Sequence, residues 1–161
     1  MKQFIYLLSS LFIITLASCS TPADYAEDIM EKASDMEKQT VKITEALSKK
    51  DIEAAEKALA ECQKNSEETL KELQAMEPYD EKDELRKSVI EFVDFYNNIY
   101  KNEYRQAFDI VNKGNYTKED VDSITTILMS VSSEEEFVKD DLISSFKKFC
   151  KEYELIISSR D

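Results

Sequence analysis

The reactive side chains of this sequence are three cysteines, Cys19, Cys62 and Cys150, set among 34 carboxylates and without one histidine. A thiol becomes a catalytic nucleophile when a neighbouring base takes its proton, so a Cys–His pair is closed to this chain. The same absence removes histidine ligands for zinc or iron and the Glu-x-x-His pattern of di-iron bundles. With one glycine, the chain has no glycine-rich phosphate loop. Acids cluster at Asp80, Glu81, Asp83 and Glu84, and again at Glu119, Asp120 and Asp122. Neither run has the ligand spacing of a calcium loop, and both fall where helix N-termini favour negative charge. The inventory points away from an enzyme, a resident metal and a cofactor.

Cys19 stands apart from the other two thiols. Met1-Lys2-Gln3 is a short positive start, and Phe4 to Leu16 is apolar except for Ser9, Ser10 and Thr15. That run is shorter than the roughly 20 residues that span a bilayer. It ends in Leu16-Ala17-Ser18-Cys19, which resembles the lipobox of bacterial lipoproteins: a Leu three places before the Cys, two small residues that fit a peptidase pocket, and the thiol itself. The resemblance implies that residues 1–18 are a signal peptide removed on export. It implies that Cys19 takes a diacylglycerol group with acyl chains such as palmitate. It implies that 19–21 form only a very short tether to one domain over 22–161. Because each buried CH₂ contributes about 0.8 kcal/mol, the two or three chains of such lipoproteins make a stable anchor where a single chain would not. Ser20 is not the Asp that retains lipoproteins at the inner membrane in enterobacterial systems. The resemblance therefore implies the outer membrane and, for a small helical surface lipoprotein, the cell surface. The periplasmic face is the alternative.

Cleavage would remove only Lys2 among the charges and move the formal net charge from −13 to −14. That acidity disfavours nucleic acid and anionic lipid headgroups as partners.

Long stretches of Ala, Glu, Lys and Leu with few breakers predict an all-α fold. Thr21-Pro22-Ala23-Asp24 reads as a capping box that opens a first helix, with Tyr25, Ile29, Ala33, Met36, Ile43 and Leu47 inward. Asp51 caps a second helix that closes at Glu77-Pro78-Tyr79. Asp80 to Asp83 reads as the box of a third, which runs to about Asn112 and ends before Gly114. Thr117 and Asp120 cap the fourth, whose inward stripe includes Val121, Ile124, Leu128, Val131, Val138, Leu142 and Phe149. Short connections predict an up-down-up-down antiparallel four-helix bundle. The fourth element is too long for its partners, so a break or kink is expected near Ser132-Ser133.

These elements decide what the remaining candidates do. Cys62 and Cys150 fall at different heights along such a bundle, which argues against a disulfide; two small thiols lining the core are expected instead. Phe92, Tyr96, Tyr100, Tyr104 and Phe108 recur every four residues, a line that rotates by about 40° per step around a helix. Some of Tyr100, Tyr104 and Phe108 are therefore expected at the surface, as a candidate contact for a protein or glycan partner. The blander expectation is a core edge with tyrosine tips in water. A gap among Phe92, Tyr96 and Phe146 would suit a small-molecule carrier. Asp122-Ser123-Ile124 resembles the short O-glycosylation acceptor of some Gram-negative exported proteins, although it falls within a predicted helix. The leading expectation is a non-enzymatic, membrane-anchored helical lipoprotein that engages a protein or glycan. The alternatives are a structural or inhibitory role in the periplasm, or a carrier.

Overall fold

The computed structural model describes residues 21–49 and 51–156. Cys19, and the signal peptide read from the sequence before it, lie outside the described residues. Within them the chain is an all-α bundle without a strand, built from α1 (Pro22–Ser48), α2 (Ile52–Ala75), α3 (Glu84–Lys101), α4 (Glu103–Val111) and α5 (Lys118–Glu152).

Local chemistry starts these helices where the sequence predicts. Thr21 Oγ1 accepts from the Asp24 amide (3.1 Å) while the Asp24 carboxylate accepts from the Thr21 amide (3.0 Å). The reciprocal pair recurs at Thr117 and Asp120 (3.1 and 3.0 Å). Each box satisfies amide donors that the first helical turn leaves free. Asp51 accepts from the Ala54 amide at the start of α2 (3.0 Å). Gly114, just past α4, has φ +74, a left-handed conformation that glycine adopts without a steric penalty.

The third predicted helix ends near Asn112 as expected but differs at its start and in its middle. It begins at Glu84 and not at Asp80. The Asp80 carboxylate instead folds a local turn, accepting from the amides of Lys82 (2.9 Å) and Asp83 (3.1 Å). Asp83 takes a left-handed φ of 52 and gives its carboxylate to the Arg86 guanidinium (2.7 Å to Nε) rather than to a helix amide. The helix is then interrupted at Asn102, whose backbone turns to φ −111, ψ −76. The Asn98 carbonyl there accepts from both the amide and the side-chain Nδ2 of Asn102, each at 3.0 Å. A side chain that competes for a helical carbonyl loosens the turn.

The break expected at Ser132-Ser133 does not occur: α5 runs unbroken for 35 residues. Interior serines cost a helix only a few tenths of a kcal/mol, and the glutamates that follow are good helix formers. Val131 is buried just before this stretch, and Glu135 within it accepts a hydrogen bond from the Tyr96 hydroxyl. These contacts hold the segment in register.

Side-chain pairs set the order of the bundle. Lys32 meets Glu72 (2.8 Å) while Asn65 reaches Gln39 (3.2 Å), so residue numbers run in opposite senses along α1 and α2. Ser66 bonds Asn97 (3.2 Å) and Gln63 bonds the Tyr100 carbonyl (2.8 Å) between α2 and α3. Ser88 bonds Ser145 (2.7 Å) between α3 and α5. α3 packs on α1, α2 and α5 together, whereas the backbones of α1 and α5 hardly approach. Those two helices meet through side chains, Glu37 with Lys139 (2.6 Å) and Tyr25 with Phe149 (ring centroids 6.0 Å apart).

Candidate functional site

The tyrosine line of the third helix is not a surface. Tyr100, Tyr104 and Phe108 are only 0, 9 and 1 % exposed. The expectation of exposure assumed a helix with one core seam. With neighbours on three sides, α3 buries a wide arc that takes in Tyr100, while the break at Asn102 puts Tyr104 and Phe108 on α4, which buries them too. The Tyr100 hydroxyl donates to the Met36 carbonyl (3.0 Å) and lies 2.7 Å from Thr40 Oγ1. Burial pushes the Tyr104 hydroxyl up to about 12 and raises those of Tyr96 and Tyr100 as well. These hydroxyls stay protonated and serve packing, which removes the three residues as a partner-binding patch.

The end of the bundle that holds Thr21 is closed by aromatic rings. Tyr25, Tyr79, Phe149 and Tyr153 form a cluster with neighbouring centroids 4.6–6.0 Å apart. Tyr153 donates to the Asp80 carboxylate, which ties the end of α5 to the turn before α3. The Tyr25 hydroxyl is the one buried side-chain N or O among the described residues with no hydrogen-bond partner.

Beside this cluster the α1/α5 seam stays open as an apolar groove of two lobes that share Met30. One lobe, about 270 Å³, lies between Ala23 and Ala26 of α1 and Phe146, Cys150 and Leu155. The other, about 160 Å³, lies among Ala33, Phe92, Leu142 and Ile143, with Glu37 and Lys139 at its edge. The gap expected among Phe92, Tyr96 and Phe146 is thus a surface groove. It includes Phe92 and Phe146, while Tyr96 is buried in the core. Cys150 borders it, and Cys62 lies in the core; both are free thiols. Burial pushes the Cys62 thiol up to about 11, away from the reactive thiolate form.

At the other end of α5 the pattern reverses. Because Phe149 lies against Tyr25 and Lys139 against Glu37, the first turns of α5 sit at the end of the bundle far from Thr21. There Val121, Leu128 and Met129 are 53, 47 and 69 % exposed. Spacings of seven and eight residues place the three on one side of the helix. The sequence reading had set Val121 and Leu128 inward. The signal that could have found them was the excess length of the fourth helix: its beginning has only the short α4 beside it. Against α4 it leaves an open hollow lined by Gln106, Ser123, Thr126 and Ile127, rimmed by Glu119 and Asp122. Ser123 Oγ donates back to the Glu119 carbonyl (2.8 Å), the usual use of a helical serine.

No group of three or more Cys, Asp or Glu residues among the described residues is placed to hold a metal ion. None of the described helices is long and apolar enough to cross a membrane. No protein family, no curated protein and no solved structure matches the chain.

Proposed function

We propose that the mature chain is a non-enzymatic lipoprotein, held in the outer membrane through lipid on Cys19, that works as an interaction module at the cell surface. Leu16-Ala17-Ser18-Cys19 supports the anchor. The observation that carries the module is the apolar strip of Val121, Leu128 and Met129 on the end of α5 far from Thr21, the end a tether at Cys19 would turn away from the membrane. Exposed apolar side chains grouped on one face favour a docking partner. Asp122 and Glu136, both exposed, lie at helical spacing beside the strip. The partner that fits is a protein with an apolar face bordered by Lys and Arg, since opposite charge speeds encounter and excludes wrong partners. With the tyrosines buried, no aromatic platform for a glycan remains on α3.

Protease shaving of intact cells, read by mass spectrometry, tests the placement. Release of peptides from the first half of α5 is expected. Protection until the outer membrane is broken would overturn the surface reading and leave the periplasmic alternative. A photocrosslinker at Met129 in the same cells tests the strip. A crosslinked protein band that high salt weakens and Leu128→Glu removes is expected; its absence would remove the docking role.

A further inference from the structure

The groove between α1 and α5 lies beside the only point at which a lipid would join the chain. Cys19 precedes Ala23, the first residue of the groove, by four positions. A chain covers at most about 3.5 Å per residue, so a group on Cys19 lies within roughly 14 Å of that opening. The floor is built for something slender. Ala23, Ala26 and Ala33 keep α1 low, and Met30, Phe146 and Ile143 supply apolar walls. From Ala23 to Ala33 the helix rises about 15 Å. One acyl chain in a bilayer spans half of a hydrocarbon core roughly 30 Å thick, the same length.

Charge selects among lipids. Glu27 lines the lobe nearest Cys19, and Glu37 borders the far lobe, where it is already paired with Lys139. A fatty acid or an anionic phospholipid entering there would bring its negative head towards Glu27 in a strongly acidic chain. The diacylglyceryl group of a lipobox cysteine is joined through a neutral thioether and brings no charge.

We infer that the α1/α5 groove receives one acyl chain of the protein's own Cys19-linked lipid. This rests on the lipoprotein reading above. With one chain in the groove, the remaining acyl groups alone hold the membrane, and a single remaining chain anchors only marginally. Entry and exit of that chain would set how firmly the protein is held.

Cells that express the full chain are grown with a palmitate analogue bearing a diazirine at its ω end. They are then illuminated, and the digested protein is read by mass spectrometry. The expected product joins the lipidated amino-terminal peptide to the α5 peptide that contains Leu142, Ile143 and Phe146. Ala23 is exposed, so Ala23→Trp blocks the opening without touching the core, and it is expected to lose that crosslink while the helical melting curve is kept. A label on Cys19 that crosslinks only to membrane lipid would overturn the inference and leave the anchor standing. An α5 peptide crosslinked to a free phospholipid would give the groove to a membrane lipid and overturn the own-chain source. Crosslinking to α5 that survives Ala23→Trp would overturn the groove as the route. A protein without label would overturn the lipid anchor and the inference together.

Discussion

The two halves of α5 are made from similar residues and end in opposite environments. In the second half, Leu142, Phe149 and Cys150 are buried against α3 and the aromatic cluster. In the first, only Val131 is buried, and Val121, Leu128 and Met129 face outward. Both halves carry an apolar stripe at helical spacing, so amphipathicity alone does not distinguish them. What differs is the company. The second half lies along α3 with α1 at its side, while the first has only the nine residues of α4 beside it. A stripe buries only when a second apolar surface of matching length exists, and at about 1.5 Å per residue α5 outruns α1 by roughly 12 Å.

The sharpest test of this contrast compares one apolar side chain from each half. Phe149→Ala opens the aromatic cluster and is expected to cost about 3–5 kcal/mol in urea unfolding. Met129→Ala, at a side chain 69 % exposed in the first half, is expected to stay within about 0.5 kcal/mol. Equal losses would mean that both halves of the helix are packed alike.

A smaller effect probes the centre of the bundle, where the tyrosine line turned out to be core. Tyr100→Phe removes the donor to the Met36 carbonyl and is expected to cost about 1–2 kcal/mol. An unchanged midpoint would return Tyr100 to the solvent-facing edge that the sequence suggested.

At the exposed end the first turn of α5 is held by its capping box. Thr117→Ala is expected to cost about 1 kcal/mol and to fray the first half of α5 before the second, seen as faster amide exchange there. Uniform exchange along the helix would contradict the division into halves.

The mildest change needs no mutation. Hydrogen bonds from the Thr117 backbone amide, then from Lys113 and the Thr117 hydroxyl, hold the Asp120 carboxyl down to about 2. An Asp depressed in the folded state contributes stability that is present above its unfolded pKa of about 3.9 and is lost as pH falls through the folded value. Carboxyl NMR of Asp120 is expected to titrate near 2, and in Thr117→Ala to move back towards the ordinary range. A midpoint near 4 in the wild type would mean that the cap does not form.

The starts of α1, α2 and α5 could be read from three or four consecutive residues each, because a side-chain cap closes its bonds within one turn. The core face of α1 was legible for the same reason: Ile29, Ala33, Met36 and Ile43 repeat at helical spacing and are all buried. The break was misplaced. Two serines and three glutamates look like a fresh N-terminus, yet the burial of Val131 and the Tyr96–Glu135 bond outweigh that local preference. The break that exists, at Asn102, depends on one asparagine competing for the Asn98 carbonyl, with Gln63 of another helix bonding the adjacent Tyr100 carbonyl.

By itself the sequence determined the helical class, most of the caps, the acidic surface, the lack of histidine chemistry and the candidate lipid attachment at Cys19. Each of these is a property of composition or of residues within one helical turn. Tertiary structure alone decided that α3 lies at the centre, that Tyr100, Tyr104 and Phe108 are core, that α1 and α5 leave a groove, and that the apolar strip of α5 begins beyond its partners. Those outcomes depend on how many neighbours each helix finds and how far each extends, which residues 40 to 100 places apart settle together.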